Sequence, residues 1–217
     1  RRVLVGTLGA GGRGVYALDI TNPSSPEVLW EISSDDDLGY VFGKPLITRL
    51  GESGPGGGTG NWKAIFGNGY NSTNGDSILY SVDLFTGSAT KITVDSGGGG
   101  LSAPELVLEP ASRLYTSRVY AGDLDGTVWR VDFDDSGTPS VKYPNGLFTT
   151  ANNRPITSAP GLAASPSGGL LVYVGTGKLL ETNDRLSTDF ESFYAVRDQG
   201  SALGANPALG SVSVSNA

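Results

Sequence analysis

Apolar and polar residues alternate along this chain in short runs, and the runs return in a fixed order. The clearest is Arg118–Phe133, where Val119 and Ala121 alternate with Tyr120 and Gly122, and Trp129, Val131 and Phe133 alternate with Val128, Arg130 and Asp132. A period of two predicts strands, and Asp125-Gly126 between the halves predicts a tight hairpin turn. Three patterns recur with it. A small residue and proline lead into an apolar strand at Gly43-Lys44-Pro45-Leu46-Ile47, Ser102-Ala103-Pro104-Glu105-Leu106 and Ser158-Ala159-Pro160-Gly161-Leu162. An apolar strand ending in glycine follows at Val3–Gly6, Ala64–Gly67, Val119–Gly122 and Tyr173–Gly175. An aromatic strand closed by aspartate comes next at Val15–Asp19, Leu79–Asp83, Val128–Asp132 and Phe193–Asp198.

The aromatic positions Tyr16, Tyr80, Trp129 and Tyr194 are 64, 49 and 65 residues apart. A more polar strand follows at Val28–Ile32, Ala89–Val94 and Ser140–Tyr143. Four strands per unit at this period predict an all-β fold, a β-propeller of about four visible four-stranded blades at roughly 1–36, 37–97, 98–150 and 151–217. The first unit lacks its proline-led strand, and the last has an outer strand only in Gly210–Ser215. An arc of a larger or incomplete ring is therefore expected, with closure of the first blade by the tail as the alternative. Gly51–Gly60, Gly97–Gly100 and Ser201–Pro207 read as solvated loops, and no segment has sustained helical periodicity.

Composition narrows the chemistry. The 217 residues carry a net charge of −7 with 15 Lys and Arg against 22 Asp and Glu, which argues against a nucleic-acid partner. Cysteine, methionine and histidine are all absent, which removes thiolate nucleophiles, disulfides, Ser-His-Asp catalysis, haem ligation and the common zinc sets. Oxygen-ligand cations such as Ca²⁺ remain open. No apolar run reaches the length of a transmembrane segment, and the chain opens directly in a strand, so a longer precursor is expected.

Few motifs point to a site. Gly9-Ala10-Gly11-Gly12-Arg13-Gly14 fits the dinucleotide pattern, but a strand follows it where a helix would have to, so a glycine-rich hairpin loop is expected. Asp35-Asp36-Asp37 reads as a solvated turn. Asp132, Asp134 and Asp135 come closest to a calcium loop, yet lack its third carboxylate at the right spacing and the later bidentate acid. Asp123 and Asp125 are expected to accept backbone N–H bonds in their turn, and Asp19, Asp83 and Asp132 to cap one turn per blade. No acid/base pair follows from these spacings, and no catalytic or cofactor-binding residue is predicted.

Gly6–Asp19, Phe66-Gly67-Asn68-Gly69-Tyr70-Asn71-Ser72, Val119–Gly126 with Trp129-Arg130, and Gly175-Thr176-Gly177-Lys178 together resemble the C-terminal propeller of the PilY/PilC family of type IV pilus biogenesis proteins and pilus-tip adhesins. The matches keep the family's order over most of residues 3–198. The resemblance implies an incomplete quinoprotein-like β-propeller from an exported protein of the bacterial outer membrane, cell surface and pilus tip. It implies a non-enzymatic module that works with minor pilins and with its own N-terminal adhesion region. Such a module supports pilus assembly against retraction, surface adhesion and twitching motility. Opening propeller strands are expected before Arg1. Many members place a calcium loop directly before the Val-Tyr-Ala-Gly-Asp motif. Here Leu108–Arg118 stands at that place, with one carboxylate and two arginines, which do not supply the oxygen ligands that Ca²⁺ requires.

Two other readings share the fold. Leu79–Gly87, with its Asp-x-x-Thr-Gly ending, resembles blade motifs of quinone-cofactor-dependent dehydrogenases, where the motif ties blades together. Such an enzyme would need a central pocket with arginine and calcium ligands, and often vicinal cysteines. An outer-membrane assembly scaffold of related propeller fold fits the composition but not the specific motifs.

Overall fold

The computed structural model describes residues 1–51, 61–108, 115–205 and 212–214. The chain runs through β1 (Val3–Thr7), β2 (Val15–Asp19), β3 (Glu27–Ile32), β4 (Leu46–Arg49), β5 (Trp62–Gly67), β6 (Ser77–Asp83) and β7 (Ala89–Asp95). It continues through β8 (Glu105–Leu108), β9 (Thr116–Gly122), β10 (Thr127–Phe133), β11 (Pro139–Val141) and β12 (Phe148–Thr149). The last strands are β13 (Gly161–Ala164), β14 (Leu170–Gly175), β15 (Glu191–Asp198), β16 (Gly204–Ala205) and β17 (Val212–Val214). The described helices are short 3-10 turns.

Consecutive strands pair into four sheets, β1-β2-β3, β4-β5-β6-β7, β8-β9-β10 with its appendages, and β13-β14-β15-β17. This all-β arrangement of antiparallel sheets is the β-propeller architecture anticipated above. In the third sheet β11 and β12 both pair with β10, and β16 adds in parallel to β12. The outer strand there is shorter than the sequence implies: it ends at Val141, and Tyr143 turns inward to a buried polar partner. The tail strand β17 pairs with β15, so it extends the fourth sheet and not the first.

Strand alternation is explained by three cores, each lying between neighbouring sheets. Ala64, Phe66, Ile78 and Tyr80 face the first sheet, packing with Val15, Ala17 and Trp30. Ile65 and Leu79, one residue out of phase, face the third sheet and meet Val119, Ala121, Trp129 and Val131. Tyr120 and Val128 face the fourth sheet with Val172, Val174, Tyr194 and Val196. β6 is buried on both faces and carries apolar residues on both, whereas β7 alternates because one face meets water. Burying each such Ile or Leu stabilises the seam by about 1.5–3 kcal/mol.

Two of the strand-ending glycines, Gly67 and Gly122, share one cause. A side chain on Gly67 would collide with the Leu101 and Ser102 carbonyls, and one on Gly122 with Ile156. The segment entering the next blade crosses the strand end there, and only hydrogen leaves it room. The Asp83–Gly87 turn is a second tie between sheets. Asp83 accepts from the Phe85 and Thr86 amides and the Thr86 hydroxyl. Gly87 at φ +75° presents its bare Cα to Trp30, whose Nε1–H donates to the Leu84 carbonyl at 3.0 Å.

Candidate functional site

A buried polar cluster lies between the third and fourth sheets. Asp198, at the end of β15, is 3% exposed and accepts four hydrogen bonds. The donors are the Tyr120 hydroxyl at 2.6 Å, the Tyr143 hydroxyl at 2.8 Å, Arg130 Nη1 at 2.8 Å and the Gly200 amide at 2.8 Å. Arg130 in turn grips Asp132 through Nε at 2.6 Å and Nη2 at 2.8 Å. Burial pushes the Asp198 carboxyl upward, but the bonds from Tyr120, Gly200, Arg130 and Tyr143 outweigh it and hold the group below the usual carboxylate range. Burial and Asp198 raise the Tyr143 hydroxyl to about 12. Both oxygens of Asp198 are engaged and burial raises both tyrosine hydroxyls, so the cluster is built as a clamp between the sheets.

The sequence-derived calcium candidates turn to separate partners. Asp132 is taken by Arg130 and does not cap a turn as expected, because its strand position points it at the guanidinium. Asp134 Oδ1 accepts from the Ser136 amide and hydroxyl and the Thr138 amide, closing the β10–β11 turn, and those bonds hold its carboxyl low. Asp135 accepts from the Tyr115 hydroxyl at 3.2 Å. Most of the stretch at the family's calcium-loop position, residues 109–114, lies outside the described residues. Among the described residues no three Asp, Glu, His or Cys side chains form a metal-binding group.

Asp35 and Asp37 differ from the solvated turn expected of them. Lys91 Nζ bridges them at 2.6 and 2.8 Å, the Tyr80 hydroxyl donates to Asp35, and the Asn74 amide to Asp37. The Lys91 ammonium and Asn74 amide hold the Asp37 carboxyl low, while burial and Asp35 push the Tyr80 hydroxyl well above its ordinary value. The signal was available as Lys91, the one basic residue of the outer strand β7. Gly9–Gly14 forms the β1–β2 loop, with a 3-10 turn at Gly9–Gly11 and no following helix. Asp123 accepts from the Thr127 amide as expected, and also from the Trp129 indole, which spacing alone did not reveal. Burial raises its carboxyl to about 7.

Where the segments leading into β4, β8 and β13 converge, a cleft of about 40 Å³ opens between Tyr40, Phe42, Tyr70, Leu124 and Leu180. It has room for a few waters. Its lining carries neither arginine nor carboxylate, so these residues do not fit a quinone cofactor.

The β14–β15 connection beside it is built differently. Leu179, Leu186 and Phe190 are 69%, 79% and 72% exposed. The loop that displays them is held by a capping box between Glu181 and Asp184, by Lys178 against both, and by Arg154 against Asp189 and Glu191. Exposed apolar side chains on a braced loop are the composition of a contact surface. No described helix is long and apolar enough to cross a membrane.

Comparison with known proteins agrees with this fold. The family model described as the PilY1 beta-propeller domain matches residues 1–213. A PilY1 homolog of Xylella fastidiosa, named as a type IV pilus biogenesis factor, is 37% identical over 94% of this chain. The type IV pilus biogenesis factor PilY1 of Pseudomonas aeruginosa strain UCBPP-PA14 is 39% identical over 84% of it. The chain spans only 15% and 18% of the length of those two proteins. The crystal structure of the P. aeruginosa PilY1 C-terminal domain superposes with a TM-score of 0.77 at 33% identity, covering 94% of this chain and 47% of that one.

Proposed function

Because this chain belongs to the PilY1 β-propeller family of type IV pilus biogenesis factors, we propose that it is a non-enzymatic docking module of the pilus machinery. Its role is to help minor pilins assemble a pilus at the cell surface and to oppose retraction, with surface adhesion and twitching motility following from piliation. Similarity to named pilus biogenesis factors along nearly the whole chain carries this reading. The braced loop with Leu179, Leu186 and Phe190 supplies the contact surface, and the polar clusters serve as ties between blades. The partners on this reading are the minor pilins at the pilus tip and the protein's own N-terminal region.

Replacing Leu179, Leu186 and Phe190 together by serine in the chromosomal gene tests it. All three are exposed, so melting of the purified protein should be unchanged within about 0.5 kcal/mol. Surface pili and twitching should fall, and co-purification with minor pilins should be lost. Full piliation and undiminished pilin capture by the triple variant would count against this surface.

A further inference from the structure

The seam between the second and third sheets holds a group of oxygens whose arrangement the pilus reading does not use. Ser77 opens β6 and Asp95 closes β7, and the two are register partners across the sheet end. Asp123 follows β9 in the next sheet and is joined to Leu101 by an isolated antiparallel bridge. Between them runs Gly97-Gly98-Gly99-Gly100, fixed by the Gly97 amide on Asp76 Oδ1 and the Gly99 amide on the Gly75 carbonyl.

Gly98 is the informative residue of that run. Unlike its three glycine neighbours it does not adopt a left-handed φ, so its backbone does not require glycine. What requires it is space. A methyl group on Gly98 would lie 2.6 Å from Ser77 Oγ, 2.9 Å from Asp95 Oδ2 and 3.3 Å from Asp123 Oδ2. Three oxygens from two sheets thus face one bare Cα. Ser77 is fully buried, and its Oγ has no hydrogen-bond partner, an arrangement that costs about 1–3 kcal/mol unless something satisfies it. The neighbouring charges acting on Asp95 are the carboxylates of Asp125 and Asp76, and those acting on Asp123 are Asp125 and Asp95. None of these four carboxylates pairs with a lysine or arginine among the described residues.

We propose that Ser77, Asp95 and Asp123 bind a hard divalent cation, calcium in the first instance, at the seam between the second and third blades. The ligand set is all oxygen, which suits Ca²⁺ or Mg²⁺ and disfavours softer metals. Two carboxylates from different sheets neutralise the ion, the orphaned hydroxyl becomes its third protein ligand, and water completes the shell. Calcium is preferred because it accepts irregular geometry, whereas Mg²⁺ demands a near-ideal octahedron. Its three ligands are not among residues 108–118, the calcium-loop position in the sequence, and its role is to tie one blade to the next.

The Trp129 indole donates to Asp123, and this provides a direct probe. Terbium, which occupies calcium sites, should luminesce when tryptophan is excited in the full chain, and Ca²⁺ should displace it more effectively than Mg²⁺. Asp95→Asn removes a ligand charge at the partly exposed edge, and Gly98→Ala presses a methyl group against the three oxygens and displaces them while keeping their chemistry. Each should weaken binding at least about tenfold. Asp134→Asn, in the turn after β10, serves as a control and should leave binding unchanged. Thermal melts without added ion establish that each variant is folded, and if one is not, the other carries the comparison. Absence of sensitised emission and of calcium binding at millimolar ion would overturn the proposal. So would equal affinity in wild type, Asp95→Asn and Gly98→Ala, or displacement by Mg²⁺ ahead of Ca²⁺.

Discussion

Replacing Asp198 by asparagine tests whether the polar cluster between the third and fourth sheets holds them together. The substitution keeps the shape but removes the charge and turns an amide N–H₂ toward groups that are themselves donors. Arg130 keeps its two bonds to Asp132, so its charge is not stranded. The loss therefore falls below the 3–5 kcal/mol typical of breaking a buried ion pair. The Tyr120 and Tyr143 hydroxyls, on residues 0% and 6% exposed, compete for the single remaining amide oxygen, and one unsatisfied hydroxyl costs about 1–3 kcal/mol. The expected destabilisation is about 2 kcal/mol, read by urea denaturation at neutral pH, or roughly 4–8 °C in melting temperature for a chain of this size. The pH dependence has a definite sign. The Asp198 carboxyl is depressed in the folded state, so its contribution is complete above the unfolded-chain carboxyl value and disappears as pH falls through the folded one. The gap between wild type and variant should therefore close in acid. A loss under about 0.5 kcal/mol, or a gap that stays constant into acid, would refute the clamp.

Other contacts make equally definite predictions. Thr48 and Thr116 share a buried hydroxyl–hydroxyl bond of 2.7 Å between the second and third sheets. Thr48→Val alone should cost about 1–2 kcal/mol by leaving Thr116 unsatisfied, while the double valine variant should return close to wild type in a denaturant series. Gly75 and Gly87 share a φ of +75°, but only Gly87 has a neighbour, with the Trp30 Cβ 2.6 Å from where its own Cβ would be. Gly75→Ala should cost about 1 kcal/mol for the left-handed backbone, and Gly87→Ala measurably more, the excess being the clash against Trp30. Equal melting temperatures for the two variants would show that the Trp30 contact yields freely.

Local pattern made the sheets legible and left their partners hidden. The order of proline-led, glycine-ended, aromatic and polar runs identified most of the strands, because alternation reports which face of a strand is buried. It does not report what lies opposite. Asp198 resembled the strand-end aspartates Asp19 and Asp83, yet its partners Tyr120, Arg130 and Tyr143 come from 55 to 78 residues away. Asp132 looked like a turn cap and proved to be the second arm of the Arg130 clamp. The Gly97–Gly100 run read as a loop, and only its placement between Ser77, Asp95 and Asp123 distinguishes Gly98 from its neighbours. Tyr143 was read as part of an outer strand because its apolar ring fits one. Its hydroxyl draws it inward instead.

The central claim is that this propeller supports pilus assembly against retraction without performing chemistry of its own. Its most direct test is an in-frame deletion of the propeller from the full-length gene, with surface pili counted in a retracting strain and in one whose retraction motor is disabled. The account predicts few or no pili in the first and recovery of pili in the second. Normal piliation and twitching in the retracting strain would contradict it.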